Sequence, residues 1–254
     1  MKYNMQGKSA LIIGGGGGSG RLTSIMLSQE GVNVVVGDIN EEDGQETVAI
    51  IKEAGGEACF IRVNAVNEED IIAAVKLCED KYGGLHYAAN IVGTNLDWSD
   101  ITTVSAENFD KMMQICTRSV FFGIKHQIPA MLRSGGGSIV NMACAGAGRI
   151  VKPFQGSYST CKFGVLALTK TAALAFADKG IRVNCVGPQV MLSTNLQKYL
   201  DKDPHFADDM LAEVPMNRFI EYREVSSTYM FLFSEWAGAI TGMLVNVDGG
   251  DSAD

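Results

Sequence analysis

Apolar runs alternate with amphipathic stretches along most of the chain. Residues 9–13 and 32–36 are short apolar runs, and residues 21–30 between them have the spacing of apolar positions that is typical of a helix. This order predicts a strand, a helix and a second strand. The same alternation continues to residue 186. It predicts further strands at 58–63, 86–89, 138–142 and 182–186, and helices at 42–54, 68–82, 106–133 and 158–179.

The predicted strands are strongly apolar, so both faces of the sheet that they form must be covered. Helices between parallel strands provide this cover, which predicts an α/β fold with a doubly wound parallel sheet. Gly31 and Gly180 follow predicted helices and precede strands, where a left-handed residue commonly ends a helix. The chain has 254 residues, 46% of them hydrophobic, and no linker composition, so we expect one domain over residues 1–254.

Composition and charge narrow the classes of function. The net charge of −8 comes from scattered acidic residues, which argues against a nucleic-acid partner that needs a basic stripe. There is no run of 18 apolar residues and no leader pattern, so we expect neither a membrane span nor a secretion signal, and a cytoplasmic location. Six cysteines without CxxC spacing, and only three histidines, predict reduced thiols rather than a zinc site.

A glycine-rich run, residues 14–20, follows the first predicted strand and opens the first predicted helix. Residues without a Cβ allow the backbone to approach a pyrophosphate, and the N–H groups at a helix start can bind it. The alternative is a flexible linker, which is not normally found between an apolar strand and an amphipathic helix. The run therefore predicts a dinucleotide site, although five consecutive glycines fit several registers of the fingerprint.

Asp38 ends the second predicted strand, 20 residues after Gly18. Its carboxylate can accept hydrogen bonds from the ribose hydroxyls of an adenosine, and its charge would repel a 2′-phosphate. Neither Gly17 nor Ile39, which flank the expected ribose position, is basic. NAD is therefore expected rather than NADP. The alternative is that Asp38 belongs only to the turn before Ile39 and Asn40.

Tyr158 and Lys162 are four residues apart in a predicted helix, so their side chains share one face. Attraction between a phenolate and an ammonium favours the ionised phenol, which predicts a lowered pKa for Tyr158. A phenol that exchanges a proton near neutral pH suits the oxidation of an alcohol or the reduction of a ketone. Taken alone, the spacing also fits an ordinary surface pair.

With these features in order, the chain resembles the short-chain dehydrogenase/reductase family over essentially its whole length. The motifs that carry the resemblance are Gly14-x-x-x-Gly18-x-Gly20 for the nucleotide loop, Asn90-Ile91-Val92-Gly93 for the segment after the fourth strand, Tyr158-x-x-x-Lys162 for the catalytic pair, and residues 182–188 and 241–250 for the last two strands.

This resemblance implies a seven-stranded single-domain Rossmann fold, usually a dimer or tetramer, that transfers a hydride between a nicotinamide and a carbinol carbon. Tyr158 would be the acid/base, and Lys162 would hold the nicotinamide ribose and lower the tyrosine pKa. Residues 188–194 would close over the nicotinamide, with the Val190 backbone at its carboxamide. The implied NAD site comprises Gly14, Gly18, Ser19, Gly20, Asp38, Ile39, Asn64, Ala65, Asn90, Val92, Gly93, Tyr158, Lys162, Pro188, Val190 and Ser193.

Two helper residues of the family are replaced by cysteines. The serine that hydrogen-bonds the substrate oxygen falls on Cys144, or on Ala145 if one counts thirteen residues back from Tyr158, and the asparagine of the proton relay falls on Cys116. A thiol is a weak donor, although Cys144 could partly fill the role. Losing one preorganised donor costs roughly 10²- to 10³-fold in rate, which would give a slow enzyme or different chemistry.

Milder departures lie at the adenine edge and in the nucleotide loop. Asn64 and Ala65 replace an aspartate and a hydrophobic residue, and Ile13 replaces a threonine. The Asn64 amide keeps a donor and an acceptor, so adenine could still be bound.

The region in which the family places a variable substrate lid, residues 190–218, is apolar and rich in methionine. Such side chains suit bulky hydrophobic ligands, for example a hydroxysteroid, a bile acid or a polycyclic aromatic alcohol. The alternative is that they form the core of a helical pair or an oligomer contact. The set comprises Met191, Leu192, Leu196, Tyr199, Leu200, Phe206, Met210, Leu211, Val214 and Met216, and by family analogy Trp98, Phe154 and Met142 could line the same cleft.

Three functions remain open on the sequence. The first is an NAD-dependent alcohol dehydrogenase or ketone reductase. The second is a regulatory protein that binds NAD without turnover, which Cys116 and Cys144 would explain. The third keeps Tyr158 and Lys162 as the acid/base pair of a dehydratase or isomerase. Fold resemblance alone does not decide among them.

Overall fold

A computed structural model describes residues 3–96, 98–147, 151, 153–193, 196–197, 200–201, 208, 210–212 and 214–253. Its seven strands form one parallel sheet in the order β3-β2-β1-β4-β5-β6-β7, which confirms the predicted fold class. The strands are β1 (Ser9–Ile13), β2 (Asn33–Asp38), β3 (Ala58–Arg62), β4 (Tyr87–Asn90), β5 (Gly137–Met142), β6 (Ile181–Pro188) and β7 (Leu244–Val247).

The described chain has seven α-helices. They are α1 (Gly18–Gln29), α2 (Glu41–Glu53), α3 (Glu68–Tyr82), α4 (Ala106–Met112), α5 (Ser119–Arg133), α6 (Gly156–Phe176) and α7 (Tyr222–Phe233). A π-helical turn (Met113–Arg118) joins α4 to α5, and 3₁₀ turns follow α6 (Ala177–Lys179) and α7 (Glu235–Ala237).

Two of the sequence predictions need correction. Residues 106–133 were predicted as one regular helix, but the π-helical turn interrupts it, a feature that apolar spacing does not reveal. No element was predicted for residues 222–233, where the structure has α7. A capping box between Glu221 and Glu224 starts this helix and was the missed signal. The left-handed conformations of Gly31 and Gly180 are confirmed.

The side chains of successive β1 residues supply two separate cores. Leu11 and Ile13 pack with apolar residues of α3, α5 and α6, whereas Ala10 and Ile12 pack with those of α1, α2 and α7. All five β1 residues are buried. A central strand that is buried on both faces has no polar alternation, which explains its continuous apolar sequence.

The segment Gly156–Lys179 is long and apolar enough to cross a membrane by length and composition. In the structure α6 packs against the sheet, and Val165, Ala172 and Ala173 are part of its core. These contacts are those of a core helix in a doubly wound fold.

Parallel pairing brings the ends of the central strands together at one edge of the sheet. Ile13, the last residue of β1, pairs with Gly37 of β2 and Asn90 of β4, and Asn90 pairs with Asn141 of β5. Because ligands of doubly wound sheets bind outside the carboxyl ends of the strands, this edge positions the candidate site.

Candidate active site

The glycine-rich loop turns sharply from β1 into α1. Gly14 has φ of +86°, and its N–H donates to the Gly37 carbonyl at 2.8 Å. A Cβ on Gly20 would overlap the Gly14 carbonyl oxygen, so only glycine allows the helix to start this close to the strand. Gly17, the residue before α1, provides no side-chain cap. The first N–H groups of α1, including that of Ser19, therefore fit a pyrophosphate.

Asp38 lies beside this loop at the end of β2. Its two carboxylate oxygens accept hydrogen bonds from the Gly16 N–H at 2.8 Å and the Asn40 N–H at 3.0 Å. Each oxygen keeps a lone pair that can accept from a ribose hydroxyl. The nearby Arg21 guanidinium donates to the Gly16 carbonyl at 2.7 Å and pairs with Glu46 at 2.6 Å. Its positive charge is therefore already compensated.

The predicted adenine edge follows β3. The Asn64 N–H donates to Asp70 at 2.8 Å, and its side-chain oxygen accepts from the Val66 N–H at 3.4 Å. Ala65 is buried, and Ile39 is 57% exposed. These positions fit an adenine bound between an exposed apolar side chain and the end of β3.

The Asn90 side chain holds neighbouring elements together through hydrogen bonds. Its amide donates to Gln127 at 3.1 Å and to Asn141 at 2.8 Å, and its oxygen accepts from Gln127 at 2.8 Å. This buried network occupies the side chain, so the prediction that Asn90 binds the cofactor can apply only to its backbone. Val92 and Gly93 continue along the edge, with Val92 packed on the core.

Tyr158 and Lys162 lie together on α6, as predicted. Lys162 is 1% exposed, and its Nζ donates to the Met142 carbonyl at 3.0 Å and lies 5.6 Å from the centroid of the Tyr158 ring. A Cβ on Gly93 would lie 2.8 Å from Nζ, so glycine leaves room for the ammonium. The acceptor at Met142 is a backbone carbonyl, which sequence motifs cannot identify.

The predicted direction of the Tyr158 pKa is wrong for the polypeptide itself. Burial, together with the nearby thiols of Cys144, Cys116 and Cys161, raises the pKa of Tyr158. The Lys162 ammonium faces the ring and is held by the Met142 carbonyl, so its attraction does not outweigh desolvation of the phenolate.

Both cysteines at the helper positions lie near the catalytic pair. Cys116 is fully buried in the π-helical turn, where its Sγ lies 3.4 Å from the Thr94 carbonyl oxygen. Cys144 follows β5, is partly exposed, and affects the titration of Tyr158. The structure adds Cys161, which was not predicted as a site residue. Its position beside Lys162 in the sequence was the available signal.

The segment after β6 passes over the same edge of the sheet. The Val190 carbonyl accepts from the Ile220 N–H at 3.0 Å, and the Ser193 hydroxyl accepts from the Leu196 N–H at 3.1 Å. Pro188 is buried at the end of β6. Thr194, predicted to close over the nicotinamide, lies outside the described residues.

The eight described lid residues differ in exposure. Val214 is buried, Leu192 and Met216 are 43% and 62% exposed, and the others are partly buried; Tyr199 and Phe206 lie outside the described residues. Phe154 lines a surface cavity of about 820 Å³ on the face of α6 opposite Tyr158. Met142 is buried and Trp98 is exposed. That Trp98, Phe154 and Met142 line one cleft stays a prediction.

Comparison with known proteins places these features in a family. The family model described as enoyl-(acyl carrier protein) reductase matches residues 17–252. A cyclohexanol dehydrogenase of Acinetobacter sp. is 36% identical over 249 residues, 98% of this chain and 96% of that protein. A 2,5-dichloro-2,5-cyclohexadiene-1,4-diol dehydrogenase of Sphingobium indicum is 36% identical over 251 residues, 98% and 99% of the two chains.

A solved structure agrees with this assignment. It is a 7α-hydroxysteroid dehydrogenase complexed with NADH and 7-oxo glycochenodeoxycholic acid, with a TM-score of 0.90 and 26% identity, covering 98% of this chain and 96% of that one. Fold and site thus define an oxidoreductase of the Rossmann type with a nicotinamide cofactor site. The chain belongs to the short-chain dehydrogenase/reductase family.

Proposed function

We propose that this protein is an NAD-dependent dehydrogenase that interconverts a cyclic secondary alcohol and its ketone. The observation that carries the proposal is the placement of Tyr158 and buried Lys162 at the same sheet edge as the glycine loop and Asp38. The names of the two 36%-identical relatives, both dehydrogenases of six-membered carbocyclic alcohols, support the substrate class.

The chain's own residues supply binding and proton transfer. NAD, when bound, supplies the carbon that accepts or returns the hydride. The start of α1 binds the pyrophosphate, and Asp38 accepts from the adenosine ribose. Tyr158 exchanges the hydroxyl proton of the substrate. Its raised pKa keeps the phenol protonated at neutral pH, the form that donates a proton to the developing alkoxide in ketone reduction.

The preference for NAD rests on Asp38. A 2′-phosphate would lie against its carboxylate, and the nearby cation of Arg21 is already paired with Glu46 and Asp43. The phosphate would therefore meet the negative charge of Asp38, and Arg21 could compensate it only by giving up one of these carboxylate partners.

The substrate is proposed to be bulky and hydrophobic, held under the accessible apolar residues of the 190–218 lid. The site residues, including Cys144 and Cys116 at the helper positions, belong to a single domain over residues 1–254. We propose that this domain assembles as a homodimer or homotetramer.

Activity on a defined panel tests this function. NADH formation by the purified protein would be measured with cyclohexanol, hydroxysteroids, aromatic secondary alcohols and small sugar alcohols, with NAD and with NADP. We expect oxidation of cyclic alcohols with NAD, and loss of at least about 10²-fold in rate in Tyr158→Phe with NAD binding retained. An active Tyr158→Phe variant would contradict the acid/base assignment.

Two other outcomes distinguish the alternatives. NAD binding without turnover on the whole panel would favour a regulatory role, consistent with thiols at the two helper positions. Conversion of a cyclic substrate without a change in NADH would favour dehydration or isomerisation by the same tyrosine and lysine.

A further inference from the structure

Tyr222, the first residue of α7, packs against the start of α1. A Cβ built on Gly18 would lie 3.2 Å from Cε1 of the Tyr222 ring and 3.6 Å from its hydroxyl oxygen. Gly18 is the first residue of α1 and part of the glycine-rich loop, where it has φ of +52°. The phenol therefore lies beside the N–H groups that fit a pyrophosphate.

A second contact holds α7 in this position. The Ser226 hydroxyl donates to the Ser19 carbonyl at 3.0 Å, and both residues are buried. Tyr222 and Ser226 are four residues apart, so they lie on the same face of α7. The capping box of Glu221 and Glu224 starts the helix at Tyr222. Helix geometry therefore sets the position of the ring against the first turn of α1.

The residues before Tyr222 are bonded to the segment after β6. The Val190 carbonyl accepts from the Ile220 N–H at 3.0 Å, and Met191 forms a parallel bridge with Ile220. Tyr222, two residues further on, thus connects the segment expected over the nicotinamide with the glycine loop. In a dinucleotide, the pyrophosphate joins the adenosine half to the nicotinamide half, so it must lie close to this junction.

The Tyr222 hydroxyl is available as a hydrogen-bond donor. Tyr222 is partly exposed, and among the described residues its hydroxyl has no hydrogen-bond partner. Burial raises the pKa of Tyr222, so the phenol keeps its proton at neutral pH. The guanidinium groups of Arg21 and Arg218 are paired with carboxylates. A neutral O–H donor can therefore add to the N–H groups of α1 without breaking an ion pair.

We propose that Tyr222 is a cofactor-binding residue whose hydroxyl donates a hydrogen bond to the pyrophosphate of the bound dinucleotide. The alternative is a ring that only packs α7 against α1. The pyrophosphate is common to NAD and NADP, so this contact adds affinity without choosing between them. The proposal rests on the dinucleotide site of the proposed function, but it requires no turnover.

Ligands with and without a pyrophosphate test this contact. Dissociation constants of NADH would be measured by fluorescence, and those of ADP-ribose and adenosine by displacement of NADH, in the wild type and in Tyr222→Phe. This substitution keeps the ring and removes only the hydroxyl. Because a hydrogen bond to a charged group is lost, we expect NADH and ADP-ribose to bind at least about tenfold more weakly, and adenosine to bind unchanged.

The matched control is Tyr82→Phe at the end of α3. It also removes one phenolic hydroxyl, which donates to Glu57 at 3.0 Å. We expect this variant to bind NADH, ADP-ribose and adenosine as the wild type does. Equal affinities of the wild type and Tyr222→Phe for NADH and ADP-ribose would overturn the proposal. A loss in Tyr222→Phe that extends equally to adenosine would also overturn it and would assign the effect to packing.

Carbon NMR of wild-type protein labelled at the tyrosine Cζ gives a second, direct readout. We expect the resonance that is missing in Tyr222→Phe to shift when ADP-ribose is added and to stay in place with adenosine. A resonance that ADP-ribose leaves in place would contradict the contact. A wild type that binds neither NADH nor ADP-ribose would contradict the proposed function as well. Binding that Tyr222→Phe weakens, without turnover of any alcohol, would contradict the proposed function alone.

Discussion

Gly20 and Gly17 show how differently two glycines of the same loop are constrained. A Cβ on Gly20 would overlap the Gly14 carbonyl oxygen, which is backbone and cannot rotate away, whereas a Cβ on Gly17 meets nothing within 4 Å. The glycine run in the sequence does not distinguish them. Only the close approach of α1 to the end of β1 does.

Replacing Gly20 by alanine is therefore expected to destabilise the protein and to abolish nucleotide binding. Overpacking against rigid backbone typically costs up to about 3 kcal/mol, and the displaced loop would no longer present its N–H groups. Chemical denaturation and NADH fluorescence would measure both effects. Gly17→Ala is the matched control and should change the unfolding free energy by less than about 0.5 kcal/mol. Equal effects of the two substitutions would contradict the packing shown here.

At the scale of elements, α7 and the segment before it depend on one exposed ion pair. Arg218 donates two hydrogen bonds to Glu224, at 2.7 and 2.9 Å, and Glu224 also accepts from the Glu221 N–H at 2.9 Å. These bonds connect the end of the lid region to the first turn of α7. The Arg218 guanidinium lowers the pKa of Glu224 to about 2 from an ordinary value of 4.5.

Because the folded-state pKa of Glu224 lies below the unfolded one, its contribution to stability is complete above about pH 4.5 and is lost as pH falls towards about 2. We expect Glu224→Gln to be less stable at pH 7 by at most about 1 kcal/mol, since both side chains are more than a third exposed. Urea denaturation at several pH values should show this difference shrinking below pH 4.5. A difference that is constant with pH would assign the effect to packing instead.

At the scale of the whole molecule, α6 has an apolar surface that the monomer leaves open. In the most apolar stretch of this segment, 39% is buried, and the Leu174 side chain is 86% exposed. We expect a second copy of the chain to cover Leu174, in line with the proposed homodimer or homotetramer.

Leu174→Glu is accordingly expected to reduce the mass measured by light scattering from that of a dimer or tetramer by about half, because it introduces an uncompensated charge at the contact. Leu132→Glu, the same substitution at an exposed position near the end of α5, is the control and should leave the mass unchanged. A monomeric wild type, or a Leu174→Glu protein of unchanged mass, would contradict this interface.

The sequence by itself determined the alternation of strands and helices up to residue 186, the glycine loop, Asp38 and the spacing of Tyr158 and Lys162. These features depend on local periodicity and on neighbours within about one element, so they are readable from the chain. The tertiary structure alone decided three others: the π-helical turn that carries Cys116, the Met142 carbonyl as the acceptor for Lys162, and the raised pKa of Tyr158. Desolvation and charge compensation depend on which distant segments pack together, and neither composition nor spacing specifies that packing.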